Sequence, residues 1–136
     1  MRIKDIITEV SKLLSEGARV PVVPVFTGRT EAEMAETLAQ TDSGRACCVV
    51  PESGSLKSSN TAPILDRLEF ACYYAALFES AALDGSRPYT DDIEEIISAL
   101  HCRRVCGSRT LRSGSPAFKL VRNSAGLLIF ALPFTA

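Results

Sequence analysis

Three groups of side chains in this sequence have types and spacings that could do chemistry. Asp91, Asp92, Glu94 and Glu95 put four carboxylates within five residues, and neighbouring carboxylates can divide acid and base roles between them. His101, Cys102 and Cys106 bring an imidazole and two thiols within six residues, ligand types that suit zinc. After Glu95 the chain holds Arg103, Arg104, Arg109, Arg112, Lys119 and Arg122 and no acid. A cationic stretch of that kind could face an anion, a nucleic acid or an acidic protein surface.

Each group also has a plain structural explanation. The four acids fall in the first turns of an expected helix, where carboxylates complement the helix dipole. Zinc sites use short, repeated cysteine pairs, and no second pair stands near Cys102 and Cys106. Cys47, Cys48 and Cys72 fall in apolar runs and read as small buried residues. Five cysteines, an odd number with one adjacent pair, do not resemble a secreted disulfide framework. His101 is the only histidine and reads as a helix C-cap or solvated residue. Neither a dinucleotide-binding glycine pattern nor a phosphate-cradling loop occurs, and Gly107-Ser108 and Gly114-Ser115 read as turns in the basic region. No catalytic, cofactor-binding or metal-ligating residue is assigned, and the chain reads as a non-enzyme.

The elements that must position these groups are legible from periodicity. Ile3, Ile6, Ile7, Val10, Leu13 and Leu14 recur at three- and four-residue steps, which predicts a helix stopping near Gly17. Residues 20–26 are β-branched and carry Pro21 and Pro24, which favours an edge strand. Thr30 and Glu33 form a capping box for a short, largely exposed helix to about Gln40. Residues 45–50 read as a buried strand ended by Pro51, and residues 52–63 as a long exposed loop. From Asp66 to Glu79 the residues alternate, with Leu68, Phe70, Cys72, Tyr74, Ala76 and Phe78 on one apolar face. The opposite face is charged at its ends and apolar in its middle, and a period of two predicts a long strand. Thr90 is expected to cap the acidic-start helix, whose stripe is Ile93, Ile96, Ile97 and Leu100. Residues 105–111 could add a strand. A hairpin closes the sequence, with strands at 118–122 and 127–134 about a turn at 123–126. The order α-β-α-β-β-α-β-β-β predicts an α+β domain, a mostly antiparallel sheet with helices packed on one side.

The chain has 136 residues, 46% hydrophobic and 23% charged, with a formal net charge of −1. That length suits a single domain over residues 1–136, and the composition excludes disorder as its main state. The near-neutral total argues against a general nucleic-acid binder. It conceals a split, however: residues 1–95 sum to −7 and residues 96–136 to +6. No targeting segment is visible and no apolar run reaches membrane-spanning length, so the chain is expected in the cytoplasm at synthesis.

The arrangement of these elements resembles the bacteriophage and prophage tail terminator, or tail-completion, proteins, a family of minor tail proteins. The resemblance is spread over the opening helix, the strand at 22–26, the long strand at 67–78, the late helix at 91–100 and the closing hairpin. The helix expected at 31–40 has no counterpart in it. The resemblance implies a structural virion component that assembles as a ring, in hexamers for many members, at the end of the tail tube. It implies other tail proteins as partners, a place in the virion tail, and no cofactor. A ring needs one surface of a subunit to meet a different surface of its neighbour, and opposed charges serve that need. Arg103, Arg104, Arg109, Arg112 and Arg122 are accordingly the expected interface residues. The alternative is a small anion- or nucleotide-binding domain using the basic segment 103–122.

Overall fold

The structure, a computed structural model, describes residues 3–23, 35, 36, 38, 44–57, 64–124 and 126–136. Helix α1 (Ile3–Gly17) opens the chain. Strands β1 (Arg45–Lys57) and β2 (Ile64–Leu77) follow. A single turn, α2 (Phe78–Ala81), leads to helix α3 (Tyr89–Leu100). The short strands β3 (Arg104–Val105), β4 (Arg109–Thr110) and β5 (Arg112–Ser113) precede the hairpin of β6 (Lys119–Ser124) and β7 (Leu127–Thr135). The fold is α+β. The main sheet has the order β1-β2-β7, with β5 and β6 both lying along the outer edge of β7, and the pairings among these strands are antiparallel. A separate two-stranded ribbon joins β3 to β4.

The alternation read from the sequence sets which face is which. Leu68, Phe70, Cys72, Tyr74 and Ala76 of β2 join Cys47 and Val49 of β1 and Leu128, Phe130, Leu132 and Phe134 of β7 in the main core. The two long helices cover that face. Ile6, Val10 and Leu14 make one buried stripe of α1, and Ile93, Ile96 and Leu100 one of α3. The helices approach closely where Gly17 ends α1, because a methyl at Gly17 would stand 2.8 Å from the Cβ of Ala99. Gly17 is therefore needed for contact as well as for stopping the helix. On the opposite sheet face Ala46, Ala75, Leu127 and Ile129 gather around Leu38. This covers the apolar middle that the sequence pattern showed on that face.

Several boundaries differ from expectation. Pro51 does not end β1, which runs on to Lys57, so residues 52–57 of the expected loop are strand. Residues 58–63 lie outside the described residues. The reason is backbone direction. Cys47 turns its N–H to Pro21 O (2.9 Å) and its carbonyl to Val23 N (2.8 Å), away from β2. Alternation then turns Pro51 outward as well, where a missing N–H removes no ladder bond. Pro133 is likewise passed by β7. It faces the β5–β6 side, where its carbonyl accepts from Gly114 N at 2.7 Å. Of the strand expected at 20–26, the described residues 20–23 make a parallel bridge of Val22 to Cys47, and residues 24–30 lie outside the described residues. So does most of the helix expected at 30–40, although Leu38 is helical and buried. Pro88, with no side-chain cap bond, takes the N-cap position expected for Thr90. Residues 105–111 form a tight ribbon instead of one strand, turning through Cys106 (φ 52°) and Gly107 (φ 80°).

Candidate functional site

The acidic group at 91–95 separates into two environments. Asp92 is fully buried. Its Oδ2 accepts from Arg45 Nη1 at 2.6 Å and from the Tyr74 hydroxyl at 2.5 Å, and its Oδ1 accepts from Arg87 Nε at 2.9 Å. Arg87 Nη2 lies 2.8 Å from the same Oδ1. Arg45 Nη2 also donates to the Arg87 carbonyl at 2.5 Å. Burial, and then the bond to Asp92, push the Tyr74 phenol well above its usual range. The helix dipole alone, offered from sequence as the reason for this acid, does not account for it: Asp92 is the counter-charge of a buried arginine at the start of β1, 47 positions away along the chain. With both oxygens occupied and no exposure to solvent, it presents no lone pair to a substrate. Arg45, whose partners include more than Asp92, read in the sequence only as the start of a strand.

The remaining acids lie on the surface. Glu95 accepts three bonds from the Arg19 guanidinium at 2.8–3.2 Å, and that cation holds its carboxyl below the ordinary carboxylate value. Arg19, Asp91, Glu94 and Glu95 border an open depression of about 340 Å³. A second open depression, of about 420 Å³, is bordered by Glu52, Arg67, Glu69, Gly114, Pro133 and Thr135 and mixes both charges. Among the described residues no three His, Cys, Asp or Glu side chains are placed to hold a metal ion. His101 is the C-cap residue of α3, and its Nδ1 accepts from Ser113 N at 3.0 Å. Cys102 is exposed and Cys106 partly so, while Cys47, Cys48 and Cys72 are buried free thiols. The Cys72 thiol is pushed up by its contact with Cys47 and by burial.

The basic residues do not form one cluster. Arg103 and Arg104 are exposed on the connection from α3 into β3. Arg109 is turned inward, donating to the carbonyls of Leu65 (2.5 Å), Asp66 (3.2 Å) and Ala136 (3.5 Å). It ties the start of β2 to the end of β7, which is the local role its sequence context did not reveal. Arg112 pairs in register with Thr135, Lys119 with Ala131 and Arg122 with Ile129. Thr135, Ala131 and Ile129 share one pleat parity, so Arg112, Lys119 and Arg122 stand in a row on one face of one sheet edge.

Beside that row lies a feature the sequence reading missed. Phe118, Leu120 and Val121 are 49%, 45% and 46% exposed. Phe118 meets Phe130 edge-on at 6.2 Å, and Tyr89 stacks on Phe130 at 5.2 Å. These apolar side chains continue the core outward past the last strand that the helices cover. An alternating Phe-Lys-Leu-Val-Arg stretch reads as half-buried, and only the sheet order shows that nothing among the described residues lies beyond it. Comparison with known proteins adds no relative: no family model matches the chain, and no curated protein matches it. Among the described residues no helix is long and apolar enough to cross a membrane.

Proposed function

We propose that this protein is a structural subunit that assembles with copies of itself, a ring-forming component of the kind the phage tail terminators represent. The observation that carries the reading is the β6 edge: three large apolar side chains close to half exposed, beside Lys119 and Arg122. Lys119 and the bulge between Leu120 and Arg122 are devices that blunt a sheet edge, yet they leave Phe118, Leu120 and Val121 close to half exposed, and large apolar side chains exposed together at an edge are characteristic of an interaction surface. The charge split supports the same reading in part, because Arg112, Lys119 and Arg122 line one edge while Asp91, Glu94 and Glu95 stand on α3. The anion-site alternative has less support, since Arg109, central to the basic segment, is spent on backbone carbonyls. As a tail component the protein would also contact other tail proteins through its ring faces.

Sedimentation velocity or native mass spectrometry across protein and salt concentration tests the proposal. The expected result is a discrete oligomer that dissociates on dilution. A strict monomer at high protein concentration and low salt overturns it.

A further inference from the structure

We propose that the β6 edge of one copy adds antiparallel to the open part of the β1 edge of the next copy, along residues 51–57. The inference rests on the self-assembly reading above and names the two surfaces that meet.

Four strands cross the sheet in the order β1-β2-β7-β6, each antiparallel to its neighbour. Among the described residues β1 and β6 are therefore the two edges, and they run in opposite directions. Repeating the unit side by side places β6 of one copy antiparallel to β1 of the next, with each sheet face continuing as the same face. Joining two different edges is a heterologous contact, which closes into a ring when the rotation allows. A two-fold pairing of β6 with β6 would instead set Lys119 and Arg122 against their own copies.

Both edges leave backbone groups turned outward, with a bulge between Leu120 and Arg122 on β6 and two on β1, between Pro51 and Ser53 and between Ser55 and Leu56. Cys47 turns outward, so the alternation carried across Tyr74 and Phe130 to Leu120 turns the N–H and carbonyl of Leu120 outward at the open edge. Along β1 the edge is bridged at Cys47 by Val22, while among the described residues nothing pairs with its outer side from Pro51 to Lys57. A neighbour's β6 must therefore shift along the strands to reach it. Leu120 lies level with Cys47 of its own sheet, through Phe130 and Tyr74. Keeping each side chain on its own face requires an even shift. A shift of four positions brings Leu120 opposite Pro51, which accepts a bond at that edge and donates none, and a shift of six along β2 brings it opposite Gly54, because the bulge after Pro51 adds a residue to β1. At about 3.3 Å per residue the offset is about 13–20 Å, across a repeat of four strands about 19 Å wide. Those proportions tilt the strands about 35–45° from the ring axis, the range that closed barrels adopt.

Charge agrees with this register. The Tyr73 hydroxyl donates to Glu52 at 3.4 Å, which places Glu52 on the sheet face opposite the main core. Lys119 and Arg122 stand on that same face through their partners Ala131 and Ile129. The shifted pairing sets the two cations beside Glu52 of the next copy. Leu56 and Ile64, 63% and 55% exposed on the β1–β2 arm, supply apolar surface next to the incoming strand.

The full chain is tested by sedimentation velocity with three variants, each checked for a native far-ultraviolet spectrum. Lys119→Glu is expected to weaken association at least tenfold, and Glu52→Lys in the same chain to restore it. Leu120→Lys is expected to weaken it similarly. Hydrogen exchange on the wild-type protein provides a measurement that no variant's folding can disturb. Amides at 119–122 and 53–57 are expected to slow together as protein concentration rises. Oligomers left intact by Lys119→Glu and Leu120→Lys, or no joint slowing at the two edges, overturn the edge pairing while the self-assembly reading stands. Failure of the double variant to recover overturns the placement of Lys119 beside Glu52. A wild-type monomer under all conditions removes both.

Discussion

At the scale of single residues the fold turns on one buried carboxylate. Asp92 compensates Arg45, which is 4% exposed, and also engages Tyr74 and Arg87. Removing one partner of a buried ion pair leaves the other charge unsolvated. Asp92→Asn is therefore expected to lower unfolding stability by about 3–5 kcal/mol in urea titration. Tyr74→Phe, which removes one bond to a charged group, is expected to cost about 1.5–3 kcal/mol. Titration gives a separate test. The Tyr74 phenol and the Cys72 thiol are both held above their ordinary values in the folded chain, so the folded state binds protons that the unfolded state releases. Their contribution is complete below the unfolded values, about 8.5 for the thiol and about 10 for the phenol, and is lost as pH rises beyond them. The melting temperature should fall above about pH 8.5. The fall above about pH 10 should be shallower in Tyr74→Phe.

At the scale of elements, the helical layer depends on close contact between α1 and α3. A methyl at Gly17 would reach the Cβ of Ala99 at 2.8 Å, so the two helices must separate to admit it. Gly17→Ala, favourable by helix propensity alone, is expected to destabilise by about 1–3 kcal/mol, the usual cost of overpacking. Chemical denaturation of the pair Gly17→Ala and Gly17→Ala with Ala99→Gly checks this, because the second substitution removes the obstructing methyl. At the surface Arg19, two residues past the end of α1, pairs with Glu95 of α3. Glu95 titrates below its ordinary value because of that guanidinium. Its contribution is present above the unfolded carboxylate value and is lost as pH falls through the folded one. The pair is solvent-exposed, so the effect is small. Glu95→Gln is expected to flatten the acid limb of the stability profile slightly without shifting its neutral plateau.

At the scale of the whole molecule, one main core holds the sheet and both long helices, while the β1–β2 arm and β6 extend beyond it with apolar side chains in water. Association that covers these edges would bind the folded chain alone and so raise its apparent stability by mass action. Differential scanning calorimetry from micromolar to near-millimolar protein is expected to show a melting temperature that climbs with concentration. A constant value would mean that the edges stay uncovered. In Leu120→Lys the dependence should disappear while the dilute-limit melting temperature changes little, since Leu120 lies outside the buried core.

What the sequence determined by itself follows from local periodicity. The 3.6-residue stripes of α1 and α3, the alternation of β2 and the turn before β7 each arise from neighbours along the chain, and together they define an α+β domain. The reach of β1 past Pro51 was not legible, because a proline's cost depends on whether its nitrogen faces a neighbouring strand or an open edge. Nor was the pairing of Arg45 with Asp92, 47 positions apart, since no local pattern links a strand's first residue to a helix's first turn. The six cations after Glu95 were visible as a run of charge. Only tertiary structure divided them, turning Arg109 inward onto backbone carbonyls and setting Arg112, Lys119 and Arg122 in a row. Composition fixes how much charge a segment carries, but strand register fixes which side chains share a face. That register is set by the packing of the sheet as a whole.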